Sequence, residues 1–282
     1  MKILITGAAG KMATALAAQL RTQHEVVTPA ESEMDITDFS VVQQQITAHR
    51  PDIVIHPAAW TDVDGCARDP LRAVQINGLG TQNIAVAAAN AGAAILYISS
   101  NEVFDGLSDQ LYFEYDATNP ANPYGYSKWV GEQAVKSLNP RHYIVRTSWV
   151  FAHGGRNFIH AILDAAKAGK NLRVVTDEIA NPTYNDDLVV ALGQLIETGR
   201  YGIYHLTNEG AATRYDFARH ALDAAGYADV PIEPIKLADW PRPSTPPPNA
   251  GLANMAGSMV GVMLRPWQEA VDAFLVKEGL HK

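Results

Sequence analysis

The stretch Lys2-Ile3-Leu4-Ile5-Thr6-Gly7-Ala8-Ala9-Gly10-Lys11-Met12-Ala13 decides the fold. Lys2–Thr6 reads as a buried strand, a short apolar run that stops at a glycine. Lys11–Gln23 has helical spacing, with apolar side chains at Met12, Leu16 and Leu20. Between them, Gly7 permits a tight turn. Gly10 lets the backbone approach a pyrophosphate, which the free N–H groups of a helix start can bind. Ala13 stands where a third glycine is common, a packing contact that tolerates a methyl. A glycine pattern alone is weak evidence; its place between a strand and a helix makes it strong.

The same alternation continues outward. Glu25–Thr28, Asp52–His56, Ile95–Ser99 and Tyr143–Thr147 read as strands. Asp38–His49, capped by Thr37 or Asp38, the Ala-rich run from about Pro70 to Ala91, and Tyr126–Leu138 read as helices. Strands separated by helices imply βαβ units, hence an α/β fold with a doubly wound, Rossmann-like parallel sheet. After about residue 150 the character changes. Phe158–Ala168, Asp186–Thr198 and Tyr215–Ala225 read as helices and Gly202–Leu206 as a strand. Residues 1–150 are therefore expected to form a dinucleotide-binding domain. Residues 151–282 are expected to form mainly a smaller substrate lobe, with some segments returning to the sheet. Pro241-Arg242-Pro243-Ser244-Thr245-Pro246-Pro247-Pro248 suits neither helix nor central strand and reads as a surface loop.

Bulk composition narrows the class. The apolar fraction is 47%, the charged fraction 18% and the net charge −8, so the basic footprint of a nucleic-acid binder is missing. Cys66 is the single cysteine, which rules out an internal disulfide and fits a reducing compartment. The first apolar run is too short for a signal-peptide core, and Ile84–Ile98 is interrupted by Asn90 and Gly92. The expectation is a soluble, cytoplasmic protein that binds neither membrane nor nucleic acid. A homodimer stays open.

In open sheets of this kind, ligands bind beyond the carboxyl ends of the strands. There the second strand ends in Val27-Thr28-Pro29-Ala30-Glu31. No Asp follows it directly to read a ribose hydroxyl, and no Arg to hold a 2′-phosphate. Lys11 can reach such a phosphate from the glycine loop, which tilts the reading from NADH towards NADPH. Tyr124 and Lys128 lie four apart, on one face of a helix, and are the only Tyr–Lys pair with that spacing. Reduction of a ketone needs a proton for the developing alkoxide, and a nearby ammonium is expected to lower a phenol's pKa towards that task. Ser100, just past a strand, is the candidate to orient the carbonyl oxygen. Ser99 is the alternative, since strand alternation turns only one of the two inward. The glycine turn, Ser100, Tyr124 and Lys128, in this order, are far more specific together than any one alone.

These residues resemble the dTDP-4-dehydrorhamnose reductase family, within the extended short-chain dehydrogenases. The resemblance runs through Thr6-Gly7-Ala8-Ala9-Gly10, Met34-Asp35-Ile36-Thr37-Asp38, Ala58-Ala59-Trp60-Thr61-Asp62-Val63-Asp64 and Asn77. It continues in Ser99-Ser100, Val103-Phe104-Asp105-Gly106, Tyr124 to Lys128 and Arg146-Thr147-Ser148-Trp149-Val150-Phe151. Asn157-Phe158, Ile179-Ala180-Asn181-Pro182-Thr183-Tyr184, Gly202-Ile203-Tyr204-His205-Leu206 and Tyr215-Asp216-Phe217-Ala218 complete it. It implies reduction of a 4-keto group on a nucleotide-activated 6-deoxyhexose. Tyr124 would give the proton, Lys128 would support it and bind ribose, and Ser100 would orient the carbonyl. Gly7, Gly10, Lys11 and Met12 would hold the pyrophosphate, and Asp35 and Ile36 would flank the adenine. Ala58, Ala59, Thr61 and Asn77 would line the dinucleotide, and Trp149 would lie against sugar and nicotinamide.

The chain departs from the family in two places that matter. After the position of Ser100 the family usually carries Asp then Tyr, facing the sugar; this chain has Asn101-Glu102, which makes both substrate-side candidates. Some members join through a metal held by a glutamate on the first helix. Ala15 stands there, so no metal is expected. Two other readings share the fold or part of it. A nucleotide-sugar epimerase would retain its NAD, and a dehydratase would add an acid pair, of which Asn101-Glu102 supplies half. A regulatory subunit without catalysis would be expected to lose Tyr124 or Lys128.

Overall fold

The computed structural model describes residues 1–282. Six strands form one all-parallel sheet: β1 (Lys2–Ile5), β2 (Glu25–Val27), β3 (Ile53–His56), β4 (Ala94–Ser100), β5 (His142–Thr147) and Gly202–His205. Their order is Gly202–His205, β5, β4, β3, β1, β2. The chain runs from β1 outward to β2, then crosses back to β3. The order therefore reverses beside β1, which opens a crevice at the carboxyl ends of β1 and β3.

Residue-by-residue alternation explains why these strands are apolar throughout. Ile3 and Ile5 point into one core, with Leu16 and Leu20 of α1 (Lys11–Leu20) and Leu188, Leu192 and Leu195 of the helix Asn185–Glu197. Leu4 points into the other, with Val42 and Ile46 of α2 (Phe39–His49) and Ile84 and Ala88 of the helix Thr81–Asn90. A sheet buried on both faces needs apolar residues at both parities. Asp38 caps α2 by accepting from the N–H groups of Ser40 and Val41.

After residue 150 the chain divides its effort. The strand Gly202–His205 and the helix Asn185–Glu197 complete the sheet layer. The helices Phe158–Lys167, Arg214–Ala224 and Trp267–Lys277 enclose a separate core around Phe151, Phe217, Trp267 and Phe274.

Three local expectations need correction. The run from Pro70 to Ala91 is not one α-helix: Val74–Gly80 is a π-helical turn between Pro70–Ala73 and Thr81–Asn90. Its glycines pack closely, since a Cβ on Gly78 would meet Val130 at 2.7 Å and one on Gly80 would meet Ile36 at 3.0 Å. The second Tyr-bearing helix starts at Pro123, not Tyr126; Asn122 caps it by accepting from the Gly125 N–H at 2.8 Å, and proline fits the first helical turn. The proline-rich loop lacks regular structure around 241–248 but is no simple surface loop. Ser244, Pro246 and Pro247 are buried, and Pro247 lies against Gly106. No helix is long and apolar enough to cross a membrane.

Candidate active site

A cleft of about 1590 Å³ opens at the carboxyl ends of the strands. A pocket for one small ligand holds roughly 300–1,000 Å³, so this one has room for two. Gly7, Gly10, Lys11 and Met12 form one wall, with Asp35 and Ile36 beyond β2 and Ala58, Ala59 and Thr61 beyond β3. Ser100, Asn101, Glu102, Tyr124, Lys128 and Trp149 line the other end. Gly7 is needed for two reasons: its φ is +66°, and a Cβ would lie 3.0 Å from the Ala58 Cα.

The Ser99/Ser100 ambiguity resolves by pairing. Ser99 Oγ is committed to the buried Glu132, donating to its Oε1 at 2.7 Å. That carboxylate also accepts from Arg146 Nε and Nη2, both at 2.8 Å, and all three side chains are buried. Ser100 faces the cleft, accepting from the Glu102 N–H at 3.2 Å and donating to Asn101 Oδ1 at 3.3 Å. The turn carrying Ser100 and Glu102 sits directly on the helix Pro123–Leu138. A Cβ at Gly125 would fall 1.9 Å from the Glu102 carbonyl oxygen, so only glycine lets the two elements meet there.

The electrostatics qualify the expectation for the phenol. Burial, reinforced by the Glu102 carboxylate, pushes Tyr124 well above the usual tyrosine range; the Ser100 hydroxyl pulls only weakly the other way. Lys128 does not bring it down, because its own ammonium is desolvated: burial lowers Lys128 to about 7 despite the carboxylate of Glu132. Lys128 Nζ rests 4.4 Å from the centre of the Tyr97 ring. Tyr124 therefore holds its proton, the state a proton donor requires.

Asn77 does not line the cleft. It is fully buried behind the wall, where it bonds the backbone of Trp60 on both sides and donates to Ser127 Oγ at 2.9 Å. Ser127 Oγ in turn donates to the Tyr124 carbonyl at 2.7 Å. The π-helical turn thus aims Asn77 at the turn that carries Tyr124. A second chain of bonds reaches the glycine loop. Thr81 Oγ1 donates to the Asn77 carbonyl at 2.6 Å, so it must accept from His56 Nε2 at 3.1 Å. His56 Nδ1 is then the acceptor for Thr6 Oγ1 at 2.8 Å, while Thr6 Oγ1 accepts from the Ala58 N–H at 3.3 Å. Burial, and then the nearby Lys128, lower His56 to about 3, which keeps the imidazole neutral as this chain of bonds demands.

Trp149 adopts φ +41°, a strained conformation for a bulky residue, and lines the cleft. The Arg214 guanidinium lies 3.6 Å over its ring and is held from behind by Glu178 at 3.0 Å. Arg214, His56, Thr81, Glu132 and Asn122 are parts of the site that the sequence reading missed. One signal was available: Tyr124, Lys128 and Glu132 recur every four residues, a polar stripe on an otherwise packed helix.

Residues 1–279 match the family model described as RmlD substrate binding domain. The chain belongs to this family. It is 34% identical to the spore coat polysaccharide biosynthesis protein SpsK of Bacillus subtilis over 275 residues, which cover 97% of this chain and 96% of that one. A crystal structure of a dTDP-4-dehydrorhamnose reductase from Clostridium acetobutylicum superposes with a TM-score of 0.95 at 34% identity, covering 99% and 100% of the two chains. A Bacillus anthracis dTDP-4-dehydrorhamnose reductase, solved in complex with NADP, gives 0.92 at 34% identity, covering 98% and 99%. Against this family the two departures take physical form. The Asn101 amide is held at both ends, its nitrogen donating to the Ala250 carbonyl at 3.2 Å and its oxygen accepting from Ser100 Oγ at 3.3 Å, while Glu102 lines the cleft beside it. Ala15 packs half-buried against the sheet core.

Proposed function

We propose that the protein is an NAD(P)H-dependent reductase of the 4-keto group of a nucleotide-activated 6-deoxyhexose. The observation that carries this reading is the sharing of one cleft by the glycine loop and by Ser100, Tyr124 and Lys128. The dinucleotide supplies the hydride. Gly7, Gly10, Lys11 and Met12 would hold its pyrophosphate at the amino end of α1, which no side chain caps. Asp35 and Ile36 would flank its adenine, and Ala58, Ala59 and Thr61 would support its middle.

The sugar enters from the side of Trp149, Asn101 and Glu102. Ser100 donates a hydrogen bond to the carbonyl oxygen. As the carbonyl carbon gains hydride, the Tyr124 hydroxyl delivers its proton to the oxygen, and the ketone becomes a secondary alcohol. Lys128, which titrates near pH 7, stabilises in its ammonium form the phenolate left behind and would bind the nicotinamide ribose. Asn77 acts on this site indirectly, by fixing the turn of Tyr124. Lys11 favours NADPH. The lone buried thiol of Cys66 fits work in a reducing cytoplasm.

The test is a screen of dTDP-, GDP- and UDP-linked 4-keto-6-deoxyhexoses with NADH and NADPH, following cofactor oxidation and the reduced sugar. Stoichiometric alcohol and oxidised cofactor are expected. Release of an isomerised sugar with no net cofactor oxidation would replace this reading with an epimerase.

A further inference from the structure

Glu102 is the one carboxylate at the sugar end of the cleft, and no cation pairs with it. Its Oε2 accepts from Asn122 Nδ2 at 2.6 Å. No protein group bonds Oε1, and that oxygen is not sealed from the cleft. The two guanidiniums whose charge it feels are committed elsewhere, Arg214 to Glu178 at 3.0 Å and Arg242 to Asp64 at 2.9 Å. Burial raises its pKa, and its charge in turn pushes the Tyr124 phenol upward, against the deprotonation that reduction requires. A carboxyl that served only to hold Asn122 would bring this burden with nothing to offset it.

Its position relative to the reacting atoms is fixed from two directions. The Glu102 N–H donates to Ser100 Oγ at 3.2 Å, and the Glu102 carbonyl presses on Gly125, the residue after Tyr124. Asn122, which holds the carboxyl, also caps the helix of Tyr124. Glu102 therefore sits on the turn that joins Ser100 to the helix of Tyr124, the two groups that converge on the carbonyl oxygen. In a 6-deoxyhexose with its ketone at C4, C5 bears the ring oxygen and the C6 methyl, and so carries no hydroxyl. The hydroxyl nearest the ketone is then the one on C3.

We propose that Glu102 is a specificity-determining residue whose free carboxyl oxygen accepts the hydrogen of the sugar's 3-hydroxyl, so that the site selects 4-keto sugars that retain this hydroxyl over their 3-deoxy counterparts. The proposal rests on the ketosugar-reductase reading above. An analogue lacking the hydroxyl leaves the carboxyl oxygen without a partner, and sites built to bond a hydroxyl reject such analogues strongly.

The test measures kcat/KM for a nucleotide-linked 4-keto-6-deoxyhexose and for its 3-deoxy analogue with the wild type, Glu102→Leu and Glu102→Gln. The wild type should prefer the hydroxylated sugar by about 100-fold, the scale of a hydrogen bond to a charged group. In Glu102→Leu the ratio should fall to within about threefold. Glu102→Gln keeps the volume and one acceptor oxygen, and should fall between the two, near tenfold. It also serves as the decisive variant if Glu102→Leu does not fold. An undiminished preference in the Gln and Leu variants, or no preference in the wild type, overturns the role of Glu102. Failure of the folded wild type to reduce either sugar overturns instead the ketosugar-reductase reading.

Discussion

Replacing the two neighbouring serines one at a time separates structure from chemistry at adjacent positions. Ser99→Ala removes a 2.7 Å donor from the buried Glu132 carboxylate, which keeps both of its bonds to Arg146. A hydrogen bond to a charged group contributes about 1.5–3 kcal/mol. With two guanidinium bonds left, the loss should sit at the lower end, near ~1.5 kcal/mol, or about 3–6 °C in Tm for a chain of this size. The turnover rate should stay within about twofold, because the Ser99 hydroxyl is committed to Glu132 and not to the carbonyl oxygen. Ser100→Ala should do the reverse. Only two long bonds, from the Glu102 N–H at 3.2 Å and to Asn101 Oδ1 at 3.3 Å, are lost to stability. The carbonyl oxygen loses one of two donors in the transition state, with Tyr124 remaining, which is about 2–3 kcal/mol or 30- to 150-fold in kcat/KM. Thermal unfolding and NAD(P)H oxidation with a 4-keto sugar measure the two effects. Equal rate losses in both variants, or an active Ser100→Ala enzyme, would refute the assignment of the two faces of β4.

Other consequences follow from the same site. Gly125→Ala places a Cβ 1.9 Å from the Glu102 carbonyl; the turn of Ser100 must move, and kcat should drop more than 10-fold while dinucleotide affinity, measured by fluorescence titration, changes little. Lys11→Ala should lower kcat/KM with NADPH about fivefold relative to NADH, the scale of an exposed charge on a phosphate; an unchanged ratio would remove Lys11 from the phosphate site. His56 is neutral, with a folded pKa of about 3 against 6.5 unfolded. It therefore contributes stability that is complete above pH 6.5 and is lost as pH falls from there towards 3. His56→Gln, whose amide can still bridge Thr6 and Thr81, should flatten the acid side of a denaturation–pH curve by up to about 1.4 kcal/mol per pH unit; parallel curves for the two proteins would show that His56 does not titrate in that way.

The fold was legible because it is written in periods and punctuation. The apolar run Ile3-Leu4-Ile5 followed by Gly7 and Gly10 identifies the first strand, turn and helix, and the later strands repeat that signature. What escaped was set by contacts distant in sequence. The helix from Pro70 to Ala91 looked regular because its composition is helical throughout; at its π-helical turn Gly78 and Gly80 lie close against Val130 and Ile36, contacts distant in sequence. The start of the Tyr124 helix was missed because Pro123-Tyr124-Gly125 reads locally as a turn, whereas Asn122 caps a helix there. Tyr124, Lys128 and Ser100 were legible through spacing and strand position. Arg214, His56 and Asn122 were not, since their partners Trp149, Thr6 and Glu102 lie far from them in sequence or in another element. The phenol's raised pKa was hidden for a similar reason: spacing places Lys128 beside Tyr124 but says nothing of the burial that weakens the ammonium.

Transfer of deuterium from C4-deuterated NAD(P)H to the sugar tests the central chemistry most directly, run with the wild type and Tyr124→Phe on a dTDP-linked 4-keto-6-deoxyhexose. The wild type should place the label on the former carbonyl carbon, whereas Tyr124→Phe should bind cofactor with nearly unchanged affinity and transfer label at least about 1,000-fold more slowly. Label transfer at the wild-type rate without the phenol would contradict the assignment of the proton donor.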